Sequence, residues 1–280
     1  MKQPPRQILV MGAGGRIGKI LRTCWPQGLA LWQIRQPSCQ PDWITVSPLA
    51  EPEALAAAAQ QRQVDTILCL AGVTRPIRHK EMRDNVDLAL VAVRAGAVAR
   101  ARVVLCSSSA VYGKTPGLLS ETTPVAPITD YGAAKAQMEI EALTLAAELN
   151  VPTCCLRIGN VAGADAALGG WTPACQMDQY PDGATPARSY IGPQTLARVM
   201  RDMCARSDLP DVLNVAAPGL IQMGDLLTAA GRAWAPRPAP ESALREVELD
   251  VTRLTRLIPI APATPEALAQ DCQNLEGALA

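Results

Sequence analysis

Two side chains that can move a proton lie four residues apart in the segment TDYGAAKA, at 129–136. Tyr131 and Lys135 would share one face of a helix, because residues i and i+4 are neighbours on its surface. A lysine ammonium beside a phenol favours the phenolate and brings the tyrosine pKa closer to neutrality. Such a pair is typical of a proton donor or acceptor for a carbonyl or an alcohol, although a surface tyrosine with a solvated lysine has the same spacing.

A glycine-rich turn follows the first predicted strand. The apolar run QILVM, at 7–11, ends in GAGGRIG, and a helical pattern continues through Leu21. Gly12, Gly15 and Gly18 allow a tight turn, and the helix behind them offers free N–H groups to a pyrophosphate. Glycines alone also suit a turn that binds nothing, but their place in an alternating α/β pattern predicts a dinucleotide site.

The end of the second predicted strand, in QIRQPS, has no carboxylate to receive the ribose hydroxyls of the cofactor before Asp42. Arg35, helped by Arg16 of the glycine turn, could instead meet a 2′-phosphate. An Arg35 that is merely solvated would carry no such preference. The sequence therefore leaves both NAD and NADP open as cofactors and slightly favours NADP.

Strands and helices alternate along the chain, and the strands are continuous apolar runs. Such runs are typical of parallel strands that are buried on both faces. The pattern predicts an α/β fold, a Rossmann-like doubly wound parallel sheet with a small C-terminal substrate lobe. The predicted strands lie at 7–11, 29–34, 65–72, 102–109 and 151–159, and the predicted helices at 51–63, 81–100, 130–149, 192–206 and 222–234.

The composition changes after Gly163, where stretches rich in Gly, Pro and Ala begin. We expect residues 1–162 to form the dinucleotide-binding domain, with 188–215 returning to it. The smaller substrate-binding lobe is then expected to consist of residues 163–187 and 216–280.

The overall composition excludes several classes of partner. The chain has 280 residues, 49% of them hydrophobic, and a formal net charge of zero, which gives no electrostatic reason to bind nucleic acid or an anionic membrane. The first apolar run is too short for a signal peptide or a membrane span, so we expect a cytoplasmic protein. Nine cysteines without a CxxC pair, together with the single histidine, His79, predict neither a metal site nor a structural disulfide.

A serine-rich segment, CSSSAVYG at 106–113, lies just past a predicted strand, where a doubly wound sheet binds its ligands. Serines are also common in such turns for local hydrogen bonding.

Five motifs occur in order, namely GxxGxxG after the first strand, LAG at 70–72, SSSAVYG at 107–113, YGAAK at 131–135 and LRIGNVAG at 156–163. Together they resemble the extended short-chain dehydrogenase/reductases of the NAD-dependent epimerase/dehydratase family, closely over 7–163 and loosely beyond.

The resemblance implies an enzyme and gives individual residues a role. Tyr131 would be the general acid/base, Lys135 would lower its pKa and hold the nicotinamide ribose, and Ser108 would hydrogen-bond the reacting oxygen. Ser107 and Ser109 would replace Ser108 if the register were wrong by one. The residues expected to bind the cofactor are Gly12, Gly15, Arg16, Ile17, Gly18, Arg35, Leu70, Ala71, Gly72, Asn85, Tyr131 and Lys135.

The C-terminal half resembles the family less closely. Asn160 stands where nucleotide-sugar epimerases contact a diphosphate, and Arg188 and Arg245 are candidate substrate contacts that could equally be solvated surface residues. With Ser108 and Ser109, they complete the expected substrate-binding set. PL at 48–49 stands where the family usually has an acidic residue against the adenine, so the adenine contacts must differ.

The implied reaction is hydride transfer on a sugar or nucleotide-sugar-like alcohol or carbonyl. The enzyme would be an NAD(P)-dependent oxidoreductase or an epimerase. The resemblance also implies a homodimer. Dehydration is disfavoured, because Ser109 and Ala110 stand where 4,6-dehydratases usually carry an acidic residue. The short C-terminal lobe and Arg35 also fit an NADPH-dependent reductase of a small carbonyl compound. A non-catalytic dinucleotide-sensing protein is the least favoured hypothesis, because such proteins tend to lose the Tyr or the Lys of the YxxxK motif.

Overall fold

The computed structural model describes residues 7–74 and 81–279. His79 therefore lies outside the described residues. The strands, numbered in chain order, are β1 Ile8–Met11, β2 Ala30–Ile34, β3 Trp43–Thr45, β4 Thr66–Cys69, β5 Arg102–Ser108, β6 Leu118–Leu119, β7 Thr153–Ile158, β8 Asn160–Val161, β9 Gln176–Gln179, β10 Ala187–Arg188, β11 Tyr190–Ile191, β12 Val212–Val215, β13 Ile221–Gln222, β14 Ala235–Pro238 and β15 Glu246–Leu249. The helices are α1 Arg16–Cys24, α2 Pro52–Gln61, α3 Asp84–Ala99, α4 Asp130–Leu149, α5 Pro193–Cys204, α6 Met223–Ala229, α7 Thr252–Leu257 and α8 Pro265–Leu279, and a short 3₁₀ helix spans Ser109–Tyr112.

A seven-stranded parallel sheet in the order β12-β7-β5-β4-β1-β2-β3 forms the centre of the protein. Alternate side chains of each strand enter two different hydrophobic clusters, as the period of a strand requires. Ile67 and Val103 belong to one cluster, and Leu68 and Val104 belong to the other. Both faces of the sheet are thus buried, and the predicted doubly wound α/β fold is confirmed.

The chain direction across the sheet reverses between β1 and β4. From β1 the chain proceeds to β2 and β3 on one side, and it then returns to β4 and continues through β5, β7 and β12 on the other. A doubly wound sheet binds its ligands at this switch point, beyond the carboxyl ends of the strands. The turns after β1, β4, β5 and β7 therefore meet at one edge of the sheet.

Some elements differ from the sequence-based predictions. The short strand β3, in a proline-rich link, was not predicted. It pairs in parallel with β2, with Trp43 beside Trp32. The helix predicted at 222–234 ends at Ala229, and Gly231 follows it with a φ of +66°. Helices α7 and α8 were also not predicted. No helix in the described part of the chain is long and apolar enough to cross a membrane.

Several strands after β8 form smaller sheets. One has four strands in the order β13-β10-β15-β6, in which β6 comes from earlier in the chain, and β14 pairs with β9 in another. In contrast, β12 belongs to the large sheet, where it pairs with β7. The division of the chain into a dinucleotide-binding domain and a substrate lobe at residue 162 stays a prediction.

Candidate active site

The glycine turn between β1 and α1 requires glycine for two physical reasons. Gly12 has a φ of +84°, and a Cβ there would lie 2.7 Å from the backbone nitrogen of Ala71. A Cβ on Gly18 would lie 2.6 Å from the carbonyl oxygen of Gly12. Gly15, the N-cap of α1, offers no side chain to the first turn of the helix. The N–H groups of that turn are therefore available to an anion, as the phosphates of a dinucleotide require.

A cavity of about 420 Å³ lies beside this turn, between the ends of β1, β2 and β4. Its lining includes Arg35, which is exposed, and Pro48 and Leu49. Gln33 accepts a hydrogen bond from the Gly12 N–H at 3.0 Å and donates one to the Val46 carbonyl at 2.7 Å. Gln33 thus holds the turn in place, a role that sequence reasoning missed although a polar residue in a buried strand was a visible signal.

Replacement of Gly12 with alanine should lower the dinucleotide affinity at least about tenfold, because the new methyl group must displace Ala71 and the backbone is strained at positive φ. Isothermal titration calorimetry with NAD and NADP measures this loss. The matched control is Gly117→Ala, at a φ of +83° with open space around the new Cβ. The control should lose stability through backbone strain but keep its affinity, and equal affinity losses in both variants would contradict the assignment.

A second cavity, of about 350 Å³, adjoins the first and shares Leu70, Gly72 and Val73 with it. Ser108, at the end of β5, and Tyr131 and Lys135, on the first two turns of α4, all line it. The structure thus brings together the three residues that were predicted to be catalytic. Besides Leu70 and Gly72, four other predicted site residues line the same cavity, namely Arg16, Ile17, Asn85 and Asn160.

Helix α4 begins where its N-cap fixes it. The Thr129 hydroxyl accepts a hydrogen bond from the Gly132 N–H at 3.0 Å, which satisfies one of the free amides of the first turn. Gly132 packs so closely that a Cβ there would lie 2.5 Å from the Ala110 carbonyl oxygen. The first turn of α4, with Tyr131, is therefore held against the 3₁₀ helix that follows Ser108.

The electrostatic environment of Tyr131 differs from the expectation that its lysine neighbour lowers its pKa. The pKa of Tyr131 is raised to about 12, chiefly by burial and secondly by Cys106, while Ser108 acts in the opposite direction. The Lys135 Nζ lies 6.0 Å from the centroid of the tyrosine ring and donates a hydrogen bond to the Cys106 carbonyl at 2.8 Å. Burial also lowers the pKa of Lys135 itself. With the protein's groups alone, Tyr131 is a neutral phenol at neutral pH.

Asn85, in the first turn of α3, organises the loop after β4. Its side chain accepts a hydrogen bond from the Val73 N–H at 3.1 Å and donates to the carbonyls of Val73 and Met82. A Cβ on Gly72 would lie 2.7 Å from the Asn85 Oδ1 and 3.2 Å from the Lys135 Nζ. Gly72 thus allows the loop to approach Lys135 closely enough to form the junction of the two cavities.

Three of the arginines predicted to bind ligands have protein partners. Arg16 donates to the Ala164 carbonyl at 2.7 Å and lines the second cavity, whereas Arg35 lines the first. Arg188 donates to the backbone carbonyls at 187, 244 and 245. Arg245 forms an ion pair with Asp182 and stacks on Tyr180. Arg188 and Arg245 line neither of the two cavities.

Sequence reasoning missed two hydrogen-bonded groups near the crevice. The Tyr190 hydroxyl donates to Asp165 Oδ2 at 2.6 Å, and Asp165 lines the second cavity. Glu139, buried on α4, binds the Ser107 hydroxyl and the Arg157 guanidinium. Of the three serines, Ser107 thus points to Glu139, while Ser108 lines the second cavity together with Tyr131. Within residues 7–74 and 81–279, no group of three or more His, Cys, Asp or Glu residues could hold a metal ion.

Comparison with known proteins gives consistent results. A model of the NAD dependent epimerase/dehydratase family matches residues 8–173. A UDP-glucose 4-epimerase from Azospirillum brasilense is 29% identical over 238 residues, which are 73% of this chain and 66%, just under two thirds, of that protein. A UDP-glucose-4-epimerase from Stenotrophomonas maltophila with bound NAD and formylated UDP-arabinopyranose aligns with a TM-score of 0.80 at 20% identity, covering 98% of both chains. The UDP-glucose 4-epimerase from Brucella ovis in complex with NAD aligns with a TM-score of 0.79 at 18% identity, covering 95% of this chain and 97% of that one.

The segment that the family model matches contains the glycine turn, the serine-rich segment and the Tyr131–Lys135 pair. The solved structures share the fold along nearly the whole chain. Both the fold and the family that the ordered motifs predicted are thereby confirmed, and the chain is an enzyme. It belongs to the NAD dependent epimerase/dehydratase family.

Proposed function

We propose that this enzyme epimerises a nucleotide sugar by oxidising one sugar hydroxyl to a carbonyl and reducing that carbonyl again from the other face. One observation carries the proposal. Ser108, Tyr131 and Lys135 line a cavity that joins, through Leu70 and Gly72, the cavity beside the glycine turn. A proton-transfer group and a dinucleotide site therefore meet at one place. The Azospirillum relative makes UDP-glucose the first substrate to test.

The residues of both cavities fit a nicotinamide dinucleotide. The glycine turn and the first turn of α1 suit its pyrophosphate, because a Cβ at Gly12 or Gly18 would collide with backbone atoms. Lys135 and Asn85, at the junction of the cavities, would hold its nicotinamide end. Bound there, the dinucleotide would supply a hydride acceptor and donor and, in its oxidised form, a positive charge.

Tyr131 acts as the proton donor and acceptor of the proposed reaction. With a pKa of about 12 it carries its proton at neutral pH, so it is ready to protonate the oxygen of a carbonyl as that carbonyl is reduced. In the oxidising direction it must accept the hydroxyl proton, which positive charge in the crevice favours by stabilising the phenolate. The Ser108 hydroxyl, in the cavity that Tyr131 also lines, orients the reacting oxygen. Asn160 lines the same cavity and is our candidate for a substrate contact.

Arg35 is the candidate determinant of cofactor choice. The similar structures from Stenotrophomonas and Brucella contain NAD, whereas Arg35 at the rim of the first cavity would suit a 2′-phosphate. If Arg35 meets that phosphate, Arg35→Ala should weaken NADP binding about tenfold and leave NAD binding unchanged, since a charged hydrogen bond of roughly 1.5 kcal/mol is lost. Arg94→Ala, which removes an exposed arginine outside both cavities, is the control. Equal effects of Arg35→Ala on both dinucleotides would show that Arg35 is only solvated.

The experiment that tests the epimerase proposal is identification of the dinucleotide that the purified protein carries. The protein is denatured and the released dinucleotide is separated by chromatography. Dinucleotide present in a one-to-one ratio is the expected result, because an epimerase regenerates its cofactor within each turnover and need not release it. Protein without dinucleotide would contradict the proposal and indicate an exchangeable cofactor, as in a reductase of small carbonyl compounds. A homodimer and a cytoplasmic location stay predictions.

A further inference from the structure

A buried carboxylate one helical turn beyond Lys135 connects three segments that form the catalytic crevice. Glu139, only 4% exposed, accepts a hydrogen bond from the Ser107 hydroxyl at 2.5 Å. It also accepts hydrogen bonds from two nitrogens of Arg157, from Nε at 3.0 Å and from Nη2 at 2.7 Å. Ser107 lies on β5, Glu139 on α4 and Arg157 on β7. One side chain thus joins the elements that carry Ser108 and Tyr131 to β7, the strand that leads to Asn160 on β8.

The contact network extends beyond this carboxylate and is anchored at both ends. The Arg157 Nη1 donates to the Tyr112 hydroxyl at 3.0 Å, and that hydroxyl lies 2.7 Å from the Asn214 Oδ1. The Asn214 Nδ2 donates to the backbone carbonyls of Leu119 and Asp250. Tyr112 and Asn214 have no exposed surface. Because each member has a partner, Arg157 is held in a single position, and Glu139 is held with it.

Stability alone does not account for a charged pair in this position. Apolar side chains of similar volume usually pack as well as a buried ion pair or better, because both charges must be desolvated. What the pair does provide is a fixed geometry, since the guanidinium and the carboxylate meet through two parallel contacts. The geometry that it fixes is the end of β5, where Ser107 is bonded to Glu139 and the next residue, Ser108, lines the cavity that Tyr131 also lines.

We propose that Glu139 is a positioning residue that acts through Ser107 to hold the Ser108 hydroxyl against the Tyr131 phenol. Glu139 lies on the helix that carries Tyr131 and Lys135, so its bond to Ser107 ties that helix directly to the strand end. The inference rests on the proposed function only for the role of Tyr131 as the acid/base. Its structural content is the placement of the Ser108 hydroxyl beside Tyr131 in the second cavity, which can be tested without a substrate.

The test measures the titration of residue 131 in the full-length protein. The probe is 3,5-difluorotyrosine in place of Tyr131, followed by ¹⁹F NMR, because fluorination lowers the pKa of a phenol by several units and brings its titration towards mildly alkaline pH. Ser108 lowers the pKa of the Tyr131 phenol, so displacement of the Ser108 hydroxyl must raise the midpoint. The titratable groups that interact with the phenol are Cys106 on β5 and Lys135 on its own helix, and both are kept.

Ser107→Ala removes only the link to Glu139 and keeps the buried ion pair, so this variant is expected to fold. We expect the midpoint to rise by about 0.5 to 1 pH unit, the value of one neutral hydrogen bond. Ser107→Thr keeps the hydroxyl and should restore the wild-type midpoint. An unchanged midpoint in Ser107→Ala would overturn the proposal, and so would an equal rise in Ser107→Thr, because packing rather than the hydrogen bond would then be responsible.

The sign of the effect in Glu139→Gln separates positioning from simple electrostatics. Loss of a negative charge near a phenol would lower the midpoint, whereas displacement of the Ser108 hydroxyl raises it. We expect a rise that adds nothing to the rise of Ser107→Ala in the double variant, because both changes break the same link. Glu141→Gln removes an exposed carboxylate from the same helix and should leave the midpoint unchanged. A lowered midpoint in Glu139→Gln, or additive effects, would contradict the proposal.

This outcome is independent of the proposed function. If the protein does not act on UDP-glucose, or if Tyr131→Phe retains turnover, the functional proposal fails while the titration still reports on Glu139. If Tyr131→Phe is inactive but the titration is the same in wild type and Ser107→Ala, only the positioning role fails.

Discussion

Tyr131→Phe is expected to lose turnover by about a hundredfold to ten-thousandfold, the usual contribution of a positioned acid/base, while its affinity for the dinucleotide stays the same. The substitution removes one hydroxyl and keeps the ring, which packs beside Lys135. The lost hydroxyl belongs to a side chain that lines the second cavity together with Ser108. Steady-state kinetics with UDP-glucose gives kcat, and calorimetric titration with NAD gives the affinity.

The control for this experiment is Thr144→Val, which removes an exposed hydroxyl from the same helix. In the described part of the chain, the Thr144 hydroxyl donates its hydrogen bond to the Ile140 carbonyl, four residues earlier. Thr144 lines neither of the two cavities. The control should keep wild-type turnover. Undiminished turnover in Tyr131→Phe would refute the role of the tyrosine, and a parallel loss of dinucleotide affinity would show that the variant is misfolded.

Arg157→Met is expected to have the largest effect on stability, a loss of about 3 to 5 kcal/mol in the free energy of unfolding. The methionine leaves Glu139 as a buried charge without its partner, because the side chains of Arg157 and Glu139 are only 7% and 5% exposed. Urea denaturation followed by circular dichroism measures the loss. The double variant with Glu139→Gln should recover part of it, since no buried charge then remains.

A similar ion pair on the surface provides the comparison. Arg83 contacts Glu141 through Nη1 at 2.7 Å, but the Arg83 side chain is 52% exposed. Arg83→Met should therefore cost no more than about 1 kcal/mol, because water already solvates both charges. Similar losses in Arg157→Met and Arg83→Met would mean that burial of the Glu139–Arg157 pair has little energetic consequence.

Strongly periodic elements and their caps were predictable from the sequence. Helix α4 begins and ends where the pattern indicated, at Asp130 and Leu149, because Thr129 supplies the N-cap and Asn150 adopts the left-handed conformation that ends it. Five of the seven strands of the large sheet were visible as apolar runs, since both of their faces are buried, whereas β12, with only four residues, was not predicted. The short strand β3 had no such signal, because its three residues form a strand only through pairing with β2.

The candidate site was predictable where a motif is contiguous and not where distant segments meet. Gly12 and the Tyr131–Lys135 pair stand in short motifs whose geometry is local. Glu139 and Arg157 each gave a local signal, an acid four residues after Lys135 and an arginine within an apolar strand. That they pair follows only from the order of β5 and β7 in the sheet beneath α4.

The pKa of Tyr131 could not be predicted from spacing either. Spacing places Lys135 on the same helix face, but burial of the phenol and the neighbouring Cys106 raise the pKa of Tyr131. Both depend on how α4 packs on β5. A pattern of residues thus indicates which groups meet, whereas their protonation depends on the surrounding core.

The most direct test of the account is to incubate the purified enzyme, with its dinucleotide, with UDP-glucose and to follow the sugar by ¹H NMR. The account predicts conversion to an equilibrium mixture with the C4 epimer, without consumption of added cofactor, and none in Tyr131→Phe. The contrary result has two parts. UDP-glucose and the other UDP- and dTDP-hexoses stay unchanged, and the enzyme oxidises NADPH when small aldehydes or ketones are supplied. That result would make the protein a reductase of small carbonyl compounds.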